Sequence, residues 1–238
     1  SGLCRFDGFR MKTFYYINTD DKSLPNNSVD ELQQDYGGNI WVHTSVGYCI
    51  YKYDEEQFER KPEEWLKNIH VQGPPYKLLI DKDKNMWIAV YGQGLYYHNA
   101  KTKNTYLFKF TKKAQPGCLK EGNISKITEV DGDALITYGD GTICRVNGQK
   151  QKVLWYNSFL ATHKVAGDNG AYTFYDGIGG FWVSVSNANY VYQSKTGKWT
   201  DARSYLTNMG IDIPCPTRIL MRDIARDKAG NLWVASDH

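Results

Sequence analysis

An eleven-residue block recurs along the chain at nearly constant spacing. In four copies an acidic residue stands six positions before a tryptophan, and a fifth, degraded copy has Leu135 in place of the tryptophan. Successive anchors are 46, 48, 47 and 51 residues apart. Self-similarity at such a period is typical of repeat architectures, so it limits the fold more than any other property does. The copies are DYGGNIWVHTS from Asp35, DKDKNMWIAVY from Asp81, EVDGDALITYG from Glu129, DGIGGFWVSVS from Asp176 and DKAGNLWVASD from Asp227.

Each period reads as four short β-strands. An apolar alternation precedes the block, the block itself is strand-like, and two further strand-like segments follow it. Asp, Asn and Gly at the joints are turn residues. Tyr and Trp, which favour strands, are abundant at 18 and 7 of 238 residues. Four strands in about 47 residues predict an all-β chain, a β-propeller built from four-stranded antiparallel blades.

The phase of the repeat predicts four complete blades and two half-blades in one propeller segment, 1–238. The chain begins with what resemble third and fourth strands and ends with first and second strands. The two halves together either close a five-bladed ring or belong to a larger ring, and in that case their exposed edges invite self-association. The expected boundaries are a half-blade at 1–22, blades at about 23–72, 73–117, 118–167 and 168–213, and a half-blade at 214–238.

The recurring block indicates packing rather than chemistry. One blade cannot bury both of its faces, and a large Trp side chain is suited to filling the space between neighbouring blades. Asp and Asn in the preceding turn can bond their own backbone and so shape a hairpin. The residues expected in this structural role are Asp35, Trp41, Asp81, Trp87, Asp176, Trp182, Asp227 and Trp233.

Sequence patterns for catalysis and for metal or cofactor binding are missing. The Gly-x-Ser-x-Gly, Walker and His-Glu-x-x-His motifs do not occur, and the histidines and cysteines lack metal-ligand spacing. We therefore expect no catalytic residue, no metal and no cofactor. Cys4, Cys49 and Cys144 occupy one third-strand site in different blades, which predicts free, buried thiols and leaves only a bond between Cys118 and Cys215 open.

Charge and hydropathy exclude two classes of direct partner. The formal net charge of +3 is small, and basic and acidic residues are interspersed, so we expect no nucleic-acid contact through this segment. No stretch approaches the roughly 18 consecutive apolar residues of a membrane-spanning helix. We therefore expect membrane attachment only through parts of the parent protein outside this chain.

Several segments resemble a known repeat. GLCRFDG (2–8), FYY (14–16), SLPNNSV (23–29), DYGGNIW (35–41) and DKAGNLW (227–233) are similar to the two-component regulator propeller repeat. The resemblance implies the periplasmic sensor region of a bacterial hybrid two-component histidine kinase of the Bacteroides type, an inner-membrane protein. It also implies a non-catalytic role in carbohydrate sensing, with phosphorelay carried out by a kinase outside this chain.

Ligands of propellers usually bind near the axis, on the face shared by the blade-connecting loops and the turns between second and third strands. We expect an oligosaccharide or another small molecule there, with tyrosines stacking on sugar faces and polar side chains bonding hydroxyl groups. Two alternatives stay open: a propeller-scaffold enzyme, such as a lyase or glycosidase, with acid/base groups converging from several blades, and a purely structural dimerisation scaffold. The candidate ligand-binding residues are Asn26, Asn27, Tyr76, Tyr91, Gln93, Tyr138, Asp140, Asn187 and Arg218.

Overall fold

Short β-strands form most of the chain. The computed structural model describes residues 2–112, 118–159, 172–185, 188–211 and 221–236. Within these ranges the helices are the five-residue α1 (Pro62–Leu66), a 3-10 turn (Lys67–Ile69) and the seven-residue α2 (Ala202–Asn208). None of these described helices has the length and apolar character needed to cross a membrane.

The strands group into blades that follow the repeat. The N-terminal half-blade contains β1 (Leu3–Phe6) and β2 (Met11–Phe14), and the C-terminal half-blade contains β20 (Met221–Arg226) and β21 (Leu232–Ser236). Blade one contains β3 (Val29–Gln34), β4 (Ile40–Thr44), β5 (Gly47–Lys52) and β6 (Gln57–Glu59). Blade two contains β7 (Pro75–Ile80), β8 (Met86–Val90), β9 (Gly94–His98), β10 (Thr105–Thr111) and β11 (Leu119–Lys120). Blade three contains β12 (Ile124–Val130), β13 (Asp133–Tyr138), β14 (Ile143–Asn147) and β15 (Lys152–Asn157). Blade four contains β16 (Tyr172–Tyr175), β17 (Gly180–Val185), β18 (Ala188–Gln193) and β19 (Lys198–Asp201).

The predicted architecture of four-stranded antiparallel blades flanked by two half-blades is confirmed. Consecutive strands of a blade pair antiparallel, so that Trp41 of β4 lies opposite Gln33 of β3 and Ile50 of β5. Blade two differs by one short addition, because β11 pairs in parallel with the end of β10. Antiparallel pairing between consecutive strands needs only short turns, which explains why a local sequence pattern was sufficient to predict it.

Two helices in the blade connections were not predicted from the repeat. Pro62 begins α1, and Asp201 caps α2 by accepting a hydrogen bond from the Ser204 backbone N–H at 2.9 Å. Both are common signals of a helix N-terminus. The helices are too short for a periodic apolar pattern, but each buries a leucine, Leu66 and Leu206, against the neighbouring blade.

Residue contacts divide the chain into two compact units, Ser1–Glu121 and Gly122–His238. In the first unit, one apolar core lies between the N-terminal half-blade and blade one, and a larger one lies between blades one and two. Strands β8 and β9 are buried along their whole length, as middle strands of a blade with both faces covered should be. The larger core includes Trp41, Tyr48, Ile50, Leu66, Leu78, Met86, Ile88 and Tyr96.

The second unit repeats this arrangement. One core joins blades three and four through Val130, Leu135 and Phe181. Leu135, the residue that replaces tryptophan in the degraded copy, is buried there. A second core joins blade four, α2 and the C-terminal half-blade. The cores therefore lie between sheets in both units, where the repeat places the large side chains of the block.

Three of the described cysteines, Cys4, Cys49 and Cys144, are free thiols. Cys49 and Cys144 are buried, and burial raises the pKa of the Cys49 thiol to about 12. Cys118 is partly buried, and Cys215 lies outside the described residues. The prediction that Cys4 is buried is wrong, because the face of β1 that carries it is exposed to solvent.

Candidate functional site

In the four intact blocks, the aspartate organises its own turn. The Oδ1 atom of Asp35 accepts hydrogen bonds from the backbone N–H groups of Gly37 and Asn39 at 2.8 and 3.0 Å. Its Oδ2 atom accepts from the Asn39 side-chain amide at 2.9 Å and from Trp41 Nε1 at 3.0 Å. One carboxylate therefore closes the turn and orients the buried indole, which is a structural use of a charged group.

Two other copies of the block share this pattern. The carboxylates of Asp81 and Asp227 accept from the backbone and side-chain amides of the Asn four positions later. Each also accepts from the tryptophan six positions later, at 3.3 Å for Trp87 and 3.0 Å for Trp233. The hydrogen bonds from Trp233 and the neighbouring amide lower the pKa of Asp227 to about 2.

The copy at Asp176 replaces the asparagine by Gly180. Trp182 Nε1 still donates to Asp176 Oδ2 at 3.1 Å, but the second donor to this oxygen is the hydroxyl of Tyr205 in α2, at 2.7 Å. A Cβ atom on Gly180 would lie 2.3 Å from Asp176 Oδ2 and 2.6 Å from the Tyr205 hydroxyl. Glycine at this position therefore makes room for a tyrosine from outside the block.

The degraded copy in blade three has Glu129 six positions before Leu135, and a different acidic residue of the block accepts the hydrogen bonds that follow. Asp133, two positions before Leu135, accepts from Arg145 Nε and from the Asn147 side-chain amide, at 2.6 and 2.5 Å. Both donors lie on β14, so this carboxylate bridges two strands instead of closing a turn. In the four intact copies the aspartate of the block accepts hydrogen bonds from internal donors, and in the degraded copy Asp133 does so.

Two of the candidate tyrosines form a stacked pair at one end of blade two. Tyr76 lies near the start of β7, and Tyr91 follows β8 directly, so the strand geometry brings both to the same edge. Their ring centroids are 3.9 Å apart and their planes differ by 17°. Tyr91 is 67% exposed, so the ring face that does not contact Tyr76 is presented to solvent. The pair forms a flat aromatic platform, suited to packing against a planar or C–H-rich ligand surface.

Gln93 lies in the same turn and holds it in place. Its side-chain N–H donates to the carbonyl of Gln72 at 2.8 Å, and its carbonyl oxygen accepts from the Tyr96 hydroxyl. An amide side chain has two N–H donors and two acceptor lone pairs, so each end keeps capacity for a second hydrogen bond. The sequence did not indicate Gln72, because its contribution comes from the backbone, which any residue carries.

The other described candidates make local hydrogen bonds or lie in the core. Asn26 Oδ1 accepts from Ser28 N at 2.7 Å and Asn27 Oδ1 accepts from Tyr16 N at 2.8 Å, so both shape the loop before β3. In the second unit, Asp140 is exposed and accepts from Thr142 N at 2.9 Å. Tyr138 is 2% exposed and belongs to the core, so its ring face is not presented to a ligand. Asn187 and Arg218 lie outside the described residues.

One acid/base pair lies in blade one. His43 Nδ1 is 3.5 Å from Asp30 Oδ2, and the His43 ring packs on Tyr48 with centroids 4.5 Å apart. Burial lowers the pKa of His43, Lys77 lowers it further, and Asp30 acts in the opposite direction. Asp30 and His43 come from adjacent strands of a single blade. Over the described ranges, no group of three or more His, Cys, Asp or Glu side chains is placed to hold a metal ion.

The second unit also has a concave surface that the sequence did not predict. It is a groove of about 540 Å³ between blade four, α2 and the C-terminal half-blade. Apolar side chains line most of it, among them Trp182, Leu206, Leu232 and Val234. We call this surface the α2 groove. Its position depends on α2, which the repeat pattern did not reveal.

The sequence repeat of about 47 residues, with a tryptophan at a fixed position, and the four-stranded antiparallel sheets place the chain in the class of β-propellers. Its fold is similar to the extracellular domain of the putative hybrid two-component system BT3049 from B. thetaiotaomicron, with a TM-score of 0.62 and 19% sequence identity. That match covers 99% of this chain and 30% of the neighbour, so the chain spans less than a third of that structure.

Two other solved propeller structures resemble the chain less closely. BamB from Moraxella catarrhalis matches with a TM-score of 0.53 and 10% identity, covering 88% of this chain and 55% of BamB. The WD40 propeller domain of Doa1 matches with a TM-score of 0.50 and 12% identity, covering 87% of this chain and 60% of that chain. No protein-family model and no curated protein matches the sequence. At these identities the likeness establishes the fold.

Proposed function

We propose that this chain is a non-catalytic, ligand-sensing propeller segment of the extracytoplasmic region of a hybrid two-component sensor histidine kinase and response regulator. Its ligand is a glycan-derived molecule, and the kinase that receives the signal lies outside this chain. The proposal is supported by the match over 99% of the chain to an extracellular domain of a putative hybrid two-component system. The repeat resemblance in GLCRFDG and SLPNNSV supports the same assignment.

The exposed Tyr76–Tyr91 platform is the observation that supports a glycan ligand. The C–H-rich face of a pyranose ring packs well on a flat aromatic surface, and amide groups beside it bond hydroxyls. Tyr91 offers the aromatic surface, and Gln93 places an amide in the same turn. The platform and the amide sit on the turn between second and third strands, where propellers commonly bind ligands.

The acid/base groups described so far favour binding over catalysis. The aspartates of the four intact blocks and Asp133 of the degraded block accept from internal donors, at distances of 2.5 to 3.3 Å. The His43–Asp30 pair comes from one blade, whereas the enzyme alternative calls for groups that converge from several blades. We therefore assign the chain a binding role, with no chemical step of its own.

Calorimetric titration of the purified chain with a panel of neutral and acidic oligosaccharides tests this function. We expect one class of oligosaccharide to bind, and Tyr91→Ala to weaken that binding about tenfold or more because the stacking surface is lost. Tyr53→Ala is the matched control: Tyr53 is 63% exposed but lies in the turn after β5, at the opposite end of its blade. It should leave the affinity unchanged.

Three results would contradict the proposal. Equal weakening by Tyr91→Ala and Tyr53→Ala would place the ligand elsewhere. Failure of every oligosaccharide to bind the chain and the complete parent sensor region would favour the structural scaffold. Release of shortened sugars during the titration, detected by mass spectrometry, would favour the enzyme.

A further inference from the structure

The end of blade two that carries the Tyr76–Tyr91 platform also carries lysines. Val90, which directly precedes Tyr91, lies opposite Gly94 of β9, and Gly94 lies opposite Lys109 of β10. Neighbouring strands are about 4.8 Å apart, so the Cα atoms of Val90 and Lys109 are separated by about 10 Å. The flexible four-carbon stem of a lysine lets its ammonium group approach the platform more closely than that.

The segment around Lys109 is bonded to the turn of the platform. The backbone N–H of Phe110 donates to the carbonyl of Gln93 at 3.0 Å, which fixes the end of β10 beside this turn. Lys112 follows the last residue of β10, and the side chains of Lys109 and Lys112 are both exposed. Two ammonium groups therefore lie on the outer side of the platform, in contact with water.

Lys77 supplies a positive charge on the inner side of the platform, because it follows Tyr76 on β7. Burial lowers the pKa of His43 in blade one, and the charge of Lys77 lowers it further, so the field of Lys77 extends to the neighbouring blade. The acidic groups of blade one adjoin the same histidine: Asp30 Oδ2 is 3.5 Å from His43 Nδ1, and Glu31 is the ladder partner of His43. The inner side of the platform is thus basic on blade two and acidic on blade one.

Blade two has a local excess of positive charge at this end. The segments 72–77, 90–94 and 109–112 contain three lysines and no aspartate or glutamate. Glu121 adjoins them, since its backbone N–H donates to the carbonyl of Thr111 at 2.7 Å, and its carboxylate offsets one of the three charges. The excess is local, because the whole chain has a formal net charge of only +3.

On the basis of the glycan-sensing function proposed above, we propose that the ligand of the platform is an acidic oligosaccharide. One sugar ring packs on Tyr91, and carboxylate or sulfate groups of the ligand bind Lys109, Lys112 and Lys77. Ammonium groups bind anionic oxygens as point charges with three donors each, and such charge-assisted hydrogen bonds are about twice as strong as neutral ones. The tyrosines therefore select a sugar ring, and the lysines select its charge.

Pairs of oligosaccharides that differ only in charge test this inference. The purified chain is titrated calorimetrically with oligogalacturonates, sialylated oligosaccharides and chondroitin sulfate fragments, each beside its carboxyl-reduced, desialylated or desulfated counterpart. We expect an acidic member to bind about tenfold or more tightly than its neutral counterpart in about 50 mM NaCl. In about 500 mM NaCl this difference should shrink severalfold, because salt screens charges at an exposed site.

A pair of lysine variants shows whether the position of the charge matters. Lys109 lies at the platform end of blade two, whereas Lys101 lies in the turn between β9 and β10, at the opposite end. Both side chains are exposed, and each substitution by glutamine removes one positive charge without disturbing a core. Lys109→Gln should weaken binding of the acidic oligosaccharide about fivefold and leave binding of its neutral counterpart unchanged. Lys101→Gln should change neither affinity.

The outcomes separate this inference from the function on which it depends. Tight binding of a neutral member, weakened by Tyr91→Ala but not by Lys109→Gln, would overturn the acidic ligand and leave the sensing function intact. Equal weakening by Lys109→Gln and Lys101→Gln would show that only the net charge of the chain attracts the ligand. Binding of polyglutamate as tightly as the acidic oligosaccharide would show that no sugar is recognised, which also overturns the inference. Failure of every member to bind the chain and the complete parent sensor region would remove the proposed function as well.

Discussion

Trp87 and Trp233 occupy the same position of the repeat but lie in contrasting surroundings. Each indole donates to the carboxylate six positions earlier, at 3.3 and 3.0 Å. Trp87 is fully buried, whereas Trp233 is 65% exposed. The turn of the block therefore has the same hydrogen bonds around a buried indole and around an exposed one, while burial of the indole depends on what packs beside it. The block thus encodes a local shape, and the stacking of blades converts that shape into stability.

Replacing each tryptophan by alanine should separate these two contributions most clearly. Trp87→Ala removes a buried indole that contacts Tyr97 and Phe108, so we expect a loss of about 3–5 kcal/mol in the free energy of unfolding. Trp233→Ala removes an exposed ring and should cost about 0.5 kcal/mol. Urea denaturation of dilute protein, followed by circular dichroism, measures both. Equal losses would mean that the turn, rather than burial, provides the stabilisation.

Removing the carboxylate instead of the indole should give the next largest difference. Asp81→Ala leaves Trp87 Nε1 and the Asn85 amide without their acceptor in a buried site, which should cost about 3 kcal/mol. In Asp227→Ala the corresponding donors already lie at the surface and can bond to water instead. Its effect on the unfolding free energy should therefore be much smaller than that of Asp81→Ala. Crystal structures of both variants would check that the indoles keep their places. A larger effect of Asp227→Ala would contradict the dependence on burial.

The copy at Asp176 gives a smaller effect that depends on a residue outside the block. Tyr205→Phe removes the 2.7 Å hydrogen bond to Asp176 in a buried site, so we expect a loss of about 1–2 kcal/mol. Tyr175→Phe is the control, because its hydroxyl bonds Asp131 at 3.1 Å in an exposed position, and should cost about 0.5 kcal/mol or less. If the two variants are equally stable in urea, Tyr205 is not a substitute for the missing asparagine.

The blades could be predicted because their signals are local. Strand alternation, turn residues and the Asp–Trp spacing all act within one period, and consecutive strands then pair with their neighbours. The Tyr205 contact could not be predicted, because it joins Asp176 to a helix 29 residues away and no pattern in the block indicates it. The helices α1 and α2 had capping signals but no periodic length.

Two of the candidate tyrosines show what the repeat determines about side-chain exposure and what it does not. Alignment of the blocks places both Tyr91 and Tyr138 at the turn between the second and third strands of their blades. Tyr91 follows the end of β8 and is exposed, whereas Tyr138 is the last residue of β13 and points into the core. A shift of one residue along a strand reverses the face on which a side chain lies. The repeat therefore located the turns correctly but did not determine which side chains they expose.

The smallest expected effect concerns the exposed copy of the turn and its response to acid. Hydrogen bonds from Trp233 and Asn231 lower the pKa of Asp227 from the ordinary 3.8 to about 2. The stabilisation that these bonds provide should be fully present above about pH 4 and disappear as the pH falls towards 2, because protonation removes the acceptor. Carbon-13 NMR titration of the Asp227 carboxyl group measures the pKa directly, and Asp227→Asn, which cannot titrate, should lack this step in acid unfolding. A titration midpoint near 3.8 would mean that the exposed turn does not keep its hydrogen bonds in solution. The equivalence of the Trp87 and Trp233 turns would then fail, because burial would be needed to form the turn as well as to stabilise it.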